Sequence, residues 1–359
     1  MEKGYQDWRD NPTIRPWHPD RLNARSEFTI SEDENDLNKP WRYEEDGLTV
    51  TRTSPWSPPG CHPVGCTLKL YTDEGGKLVK VEGDENNPVT QGRLCVRCIT
   101  LKDYIYNPSR ILHPMKRDPE KRGVADAWEE ITWDEAFSLI KKRYDEITEQ
   151  YGRESIVVFA GTGREGGTMA PFGSRMLCTP NYCYSQSGYA CYVPRMAASS
   201  YLLGAAYPEI DYAGGLPGRY DDPEYEIPEC IVVWGKEPLA SNPDGLFGHA
   251  VIDLMRRGTR LIVVDPRKTW MSSRADYLLQ LRPGTDTALA MAWLNVIISE
   301  GLYDKEFVEY WCYGFEELAE RVKEMTPAKA AEITGVPEEK IVAAARMYAT
   351  ATPASIAWG

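Results

Sequence analysis

Nine cysteines are spread unevenly over 359 residues, and their spacing is the first chemistry the sequence offers. Cys61 and Cys66 have four residues between them, Cys95 and Cys98 have two, and twenty-eight separate the pairs. Two close-set thiol pairs at the ends of a hairpin-bearing segment can converge on one tetrahedral centre. Structural zinc and an iron–sulfur cluster both fit that arithmetic. His62 keeps the choice open, because an imidazole can replace one thiolate on either kind of site. A second group, Cys178, Cys183 and Cys191, follows; Cys178, Cys230 and Cys312 read as ordinary buried thiols.

Three polar loops stand out, two of them following short apolar runs and the third leading into a helix. They are Trp234-Gly-Lys-Glu-Pro-Leu-Ala-Ser-Asn242, Asp265-Pro-Arg267 and Pro283-Gly-Thr-Asp286. Loops at the carboxyl ends of parallel strands are where open α/β sheets bind nucleotides, and helix N-termini there attract phosphate. An acid such as Asp265 or Asp286 can accept hydrogen bonds from a ribose or from guanine N–H groups. Many α/β proteins share such loops, so spacing alone leaves an ordinary structural reading beside the nucleotide one. Gly161-Thr-Gly-Arg-Glu-Gly166 fits G-x-G-x-x-G after a strand, but no acid closes a compact βαβ unit about twenty residues on. A nicotinamide site is not expected there, and the glycines read as positions of close backbone approach.

The elements that must position these residues are legible in the apolar periodicity. Leu68/Leu70 and Leu78/Val79/Val81 flank Asp73-Glu-Gly-Gly76, a hairpin signature. Thr132 and Glu135 have capping-box spacing before Phe137, Ile140, Tyr144, Ile147 and Tyr151, an amphipathic helix ending at Gly152. The unbroken apolar runs 156–159, 231–234 and 261–264 are followed by helical patterns, including 246–257 and 286–300. Such strands imply parallel sheets covered on both faces. Residues 304–352 predict three or four helices, with Pro327 and Pro337 at first-turn positions. Residues 354–358 resemble the start of another strand, so a truncated or split gene product is expected.

Composition bounds the classes. With 41 basic and 54 acidic side chains the net charge is −13, which argues against nucleic-acid backbones as partners. At 42% apolar and 26% charged residues, the chain can bury a core and is neither disordered nor a membrane protein. The longest apolar stretch, 288–299, is shorter than the roughly 20 residues of a bilayer span. Residues 1–10 have no apolar signal region and no twin arginine, so a cytoplasmic, reducing setting is expected, where clustered thiols serve metals or redox chemistry.

Gly60-Cys-His-Pro-Val-Gly-Cys66, Gly76-Lys-Leu-Val-Lys-Val-Glu-Gly-Asp84, Asn87-Pro88 and Gly92-Arg-Leu-Cys-Val-Arg97 resemble the N-terminal cluster domain of the dimethyl sulfoxide reductase superfamily. Those enzymes carry molybdenum or tungsten on two pterin guanine dinucleotides. Residues 107–115 and 128–136 resemble the segments that usually follow, so the likeness runs from about residue 58 to 359. Residues 1–57, rich in Pro, Trp, Arg, Asp and Glu and without a sustained apolar period, read from composition as an extended arm expected to wrap the cluster domain. The likeness implies a small β-rich cluster domain over 58–120. The first part of an α/β domain over 121–186 would follow, then a Rossmann-like pterin-binding domain over 187–359. The fold class expected is therefore α/β with a helical tail, and the family's C-terminal β-barrel domain is expected to lie outside this chain.

The same resemblance assigns roles. It implies a [4Fe-4S] cluster on Cys61, Cys66, Cys95 and Cys98, with His62 in place of Cys98 as the alternative. The Cys-x4-Cys and Cys-x2-Cys spacings depart from the superfamily's usual pattern. Arg97 would lie between cluster and pterin. Trp234, Gly235, Lys236, Asn242, Asp265, Arg267, Pro283, Gly284, Thr285 and Asp286 match the guanine dinucleotide loops. Cys191, opening the helical segment 192–204, matches the position of the metal's protein ligand, with Cys183 second; a helix start lowers a thiol pKa and suits a soft metal. The nearest subgroup by pattern contains acetylene hydratase and the catechol dehydroxylases. The hydratase has an Asp directly after one cluster cysteine, whereas His62 and Thr67 stand here. Reductive removal of oxygen from a small catechol-like substrate is implied, with His62 or a residue outside this chain as proton donor and a ferredoxin-like iron–sulfur protein as electron partner, together with a second chain or a C-terminal half. Hydration, or a noncatalytic or zinc-stabilised binding protein, is the alternative.

Overall fold

The computed structural model describes residues 40–54, 66–87, 90, 92–160, 169–184, 193–204, 226–240 and 247–358. At the N-terminal end, β1 (Arg42–Glu45), β2 (Leu48–Thr53), β3 (Leu68–Thr72) and β4 (Leu78–Gly83) form an antiparallel sheet in sequential order. The predicted hairpin is β3–β4. The other two strands correct the expected extended arm over 1–57: residues 42–53 pair into this sheet, β2 lying against β3 from Thr49↔Thr72 to Thr53↔Leu68. Asp46 and Gly47 take φ of 52° and 76°, the pair of positive values a two-residue Asp-Gly hairpin turn requires, and this pins the register of β1 on β2. Val50, Leu68, Tyr71 and Leu78 are buried, and the Tyr71 hydroxyl lies 2.9 Å from the Glu82 carboxylate and 3.2 Å from that of Glu45.

Two short helices follow, α1 (Val96–Ile99) and α2 (Leu101–Ile105), then a ribbon of β5 (Met115–Lys116) and β6 (Glu129–Glu130). The predicted helix is α3 (Trp133–Tyr151): Thr132 Oγ1 accepts the Glu135 N–H at 3.2 Å, and Gly152 at φ 81° ends it. Its apolar stripe is exposed at Trp133, Phe137 and Ile140. Beyond it, β7 (Val158–Ala160) pairs in parallel with β8 (Tyr182–Tyr184) across α4 (Met169–Met176), and α5 (Val193–Leu203) follows. The Tyr144 hydroxyl donates to the Leu177 carbonyl at 2.8 Å and ties α3 to the end of α4.

The core lies in the last unit. It contains β9 (Cys230–Trp234), α6 (Phe247–Arg257), β10 (Arg260–Val264), β11 (Tyr277–Leu279) and α7 (Asp286–Ser299). Helices α8 (Lys305–Trp311), α9 (Phe315–Val322), α10 (Pro327–Thr334) and α11 (Glu338–Thr350) lead to β12 (Ala354–Trp358). The four strands are parallel in the order β11-β10-β9-β12. Alternate side chains go to opposite faces: Val232, Ile262 and Val264 pack with Leu289, Trp293, Ile341 and Met347, while Ile231, Val233 and Leu261 pack with Val251, Leu254 and Met271. Both faces are covered, which is why these strands read as unbroken apolar runs. Pro327 opens α10 as predicted, whereas Pro337 is the N-cap of α11. Among the described residues no helix is long and apolar enough to cross a membrane.

Candidate active site

The described thiols sit on two backbone segments that are bonded together. Cys66 ends the approach to β3; Cys95 is the N-cap of α1, Cys98 is buried one turn on, and Arg97 lies half-buried between them. At the end of β4, the Asp84 N–H donates to the Thr67 carbonyl at 3.0 Å, and the Asp84 carbonyl accepts the Gly92 N–H at 2.9 Å. Asn87 Nδ2 donates to Thr67 Oγ1 at 2.6 Å, and Asn87 Oδ1 accepts the Thr90 N–H at 2.8 Å. Gly83 and Gly92 cross so closely that a Cβ at Gly83 would stand 2.0 Å from the Gly92 carbonyl oxygen. Glycine at 83 is what lets the segment before Cys95 fold back onto the segment after Cys66.

Cys66, Cys95 and Cys98 carry thiols that form no disulfide, the donor chemistry an iron–sulfur cluster needs. Among the described residues no three His, Cys, Asp or Glu side chains are grouped so as to hold a single metal ion. Cys61 and His62 lie outside the described residues, as do Cys191, Asn242 and the 161–166 glycine motif. The described thiols thus supply the donor chemistry of a cluster from two segments whose backbones are bonded to each other, and their side chains are not drawn together as a metal site. Cys183 is half-buried on β8, opposite Phe159 of β7. Two sequence expectations need correction: Cys178 and Cys312 are exposed, Cys178 at a φ of 50° in the turn after α4 and Cys312 capping the short α8, positions that sequence spacing does not mark as surface. Cys230 is buried as expected, and burial pushes its thiol well above the usual range, with Asp276 adding to the effect.

The pterin-loop residues are brought to one edge. Register places Trp234 beside Val264 and Val264 beside Leu279, so the loops after β9, β10 and β11 leave the sheet side by side at its carboxyl end. The Gly235 N–H donates to the Val264 carbonyl at 2.8 Å, and Gln280 Nε2 donates to the Pro266 carbonyl at 2.8 Å, tying neighbouring loops together. Trp234 Nε1 donates to Asp286 Oδ1 at 2.8 Å across 52 residues of sequence. Beneath that contact, Trp234 meets Trp293 edge-on, and Trp293 stacks on Tyr348.

Asp265 is 2% exposed and accepts from Arg267 through its backbone N–H at 2.7 Å and its guanidinium at 3.3 and 3.4 Å. That pairing raises the pKa of the solvent-facing Arg267. Glu237, which spacing did not single out, is buried at the same edge; its place directly after Lys236 is the signal that marks it. The turn before α7 is held by the tail: Arg282 donates from its backbone to the Thr334 carbonyl at 2.8 Å and from Nη1 to Glu332 and Ile333 carbonyls at the end of α10. Gly235 and Gly284 have φ of 61° and 83°, and a Cβ on either would meet nothing within 4 Å. The edge offers backbone N–H groups, the carboxylates of Asp265, Asp286 and Glu237, Lys236 and Arg267, a donor and acceptor set whose chemistry fits a guanine dinucleotide.

Comparison with known proteins identifies what this arrangement is similar to. The chain matches two family profiles, "Molybdopterin oxidoreductase Fe4S4 domain" over residues 59–107 and "Molybdopterin oxidoreductase" over residues 110–359. It is 35% identical over 299 residues to acetylene hydratase of Syntrophotalea acetylenica, covering 82% of this chain and 38% of that one. With dopamine dehydroxylase of Eggerthella lenta it shares 33% identity over 253 residues, covering 70% of this chain and 23% of the other. The solved acetylene hydratase from Pelobacter acetylenicus superposes with a TM-score of 0.62 at 34% identity, over 82% of this chain and 39% of that one. The chain thus spans about two-fifths or less of the length of these relatives.

Proposed function

This chain belongs to the molybdopterin oxidoreductase family, and on that premise we propose that it serves an enzyme that reductively removes an oxygen from a small catechol-like substrate. The observation that carries the choice of reaction is Thr67. The residue after Cys66 is a threonine whose hydroxyl is taken up by Asn87 within the cluster loop, and the residue after Cys61 is His62, so neither position offers a carboxylate to activate a substrate for hydration. Identity to a protein named for dehydroxylation supports the same reading.

When bound, the cofactors supply a one-electron relay at the [4Fe-4S] cluster and an oxygen-accepting, two-electron Lewis acid at molybdenum or tungsten on the pterin. The chain's own residues do the rest. In this proposal Cys61, Cys66, Cys95 and Cys98 hold the cluster and Arg97 places a cation beside it, which favours the reduced state. Trp234, Gly235, Lys236 and Asn242 line the guanine dinucleotide with the 283–286 turn. Asp265 and Asp286 accept its N–H and hydroxyl donors, Arg267 swinging off Asp265 and the Trp234 indole off Asp286. Cys191, or Cys183 in its place, ligates the metal, and His62 gives a proton to the departing oxygen. The unit boundaries at 120 and 186, a cytoplasmic setting and a ferredoxin-like electron donor belong to the same proposal.

The cofactor-loaded protein, purified anaerobically, is expected to oxidise reduced viologen only when a catechol is added. Failure with every catechol tried would overturn the reaction assigned. Hydration is the second reading, favoured by the structural match to acetylene hydratase, and it predicts acetaldehyde from acetylene.

A further inference from the structure

Arg52 lies on β2, 32 residues before the acid it meets. Its Nε and Nη2 both reach Asp84 Oδ2, at 2.8 and 2.7 Å, and the Asp84 side chain is 1% exposed. The other oxygen, Oδ1, accepts the Asn86 N–H at 3.0 Å and Asn86 Nδ2 at 3.2 Å, so the carboxylate is fixed on both sides. The backbone of this same residue bonds Thr67, next to Cys66, and Gly92, three residues before Cys95. One ion pair therefore anchors both segments of the thiol set.

We propose that Arg52 and Asp84 are positioning residues for the iron–sulfur cluster, locking the two thiol-bearing segments in place and presenting it with a charge-balanced pair whose carboxylate is buried. The proposal rests on the cluster reading above. A charge left alone at this depth is poorly screened by salt and acts on a neighbouring redox centre. Arg52→Gln leaves a lone carboxylate, which opposes an added electron. Asp84→Asn removes the negative charge and keeps the guanidinium, which favours one. Loosening of the loop alone is indifferent to which charge remains.

The test is an anaerobic redox titration of the cluster by electron paramagnetic resonance, with iron and sulfide measured on the same samples and folding checked by circular dichroism. The midpoint potential is expected to fall in Arg52→Gln, to rise in Asp84→Asn and to stay near wild type in Arg52→Lys, which keeps the cation. Should Arg52→Gln and Asp84→Asn fold but lose their iron while Arg52→Lys retains it, positioning is supported without the titration. Midpoints and iron content equal to wild type in both charge variants, or shifts of the same sign, overturn the proposal while leaving the cluster reading intact. A wild-type protein that holds no iron overturns both.

Discussion

Asp276→Asn lowers the stability of the parallel-sheet unit by about 3–5 kcal/mol, the usual consequence of stripping one partner from a buried ion pair. Arg260 opens β10 and Asp276 immediately precedes β11; both side chains are 1% exposed, and Nη1 stands 3.3 Å from Oδ1. Asparagine keeps the shape and can still accept the Leu261 N–H, which Asp276 Oδ2 takes at 2.8 Å, but it removes the negative charge that faces the Arg260 guanidinium in the core. The backbone link from Asp276 N–H to the Leu261 carbonyl at 2.8 Å belongs to the same register lock. The loops carrying Asp265 and Asp286 leave from these strands, so the loss of fold and of dinucleotide binding should coincide. Urea unfolding followed by tryptophan fluorescence measures it; a change below about 1 kcal/mol would mean that water or another group compensates the arginine.

Cys98→Ser is expected to reduce bound iron from about four atoms per chain to fewer than one, because a buried hydroxyl replaces the thiolate the cluster requires. Cys98 is 5% exposed, and serine differs from it by little in volume, so folding should survive the change. The exposed Cys178, replaced by serine, is the control and should leave iron unchanged. Iron and sulfide determination on both variants reads the result. Full iron in Cys98→Ser would transfer the fourth ligand position to His62, and loss from both variants would point to general instability.

Much of the α/β unit was legible because its signals are local. A strand buried on both faces has to be apolar at every position, so β9, β10 and β12 could be read within a residue of their ends. Thr132 and Gly152 marked α3 by capping chemistry that is confined to one turn. The N-terminal strands β1 and β2 escaped because a six-residue strand with one buried side chain, Val50, carries almost no periodicity; only the Asp46-Gly47 turn announced them. At the site, the loop sequences could be picked out but their contacts could not. The Trp234–Asp286 bond spans 52 residues and the Arg52–Asp84 pair 32, and pairing at that range is fixed by topology rather than spacing. The placement of Cys178 and Cys312 at the surface was hidden for the same reason, since a thiol's depth depends on what packs over it.

The central claim is that the cysteine set holds an iron–sulfur cluster beside a pterin-binding sheet edge. Analysis of iron, sulfide, zinc and molybdenum in the anaerobically purified chain, with an absorbance scan through the sulfur-to-iron charge-transfer band, tests it most directly. The account predicts about four irons and four sulfides per chain and a broad visible band that bleaches on reduction. Zinc alone, with no visible absorbance, would contradict it.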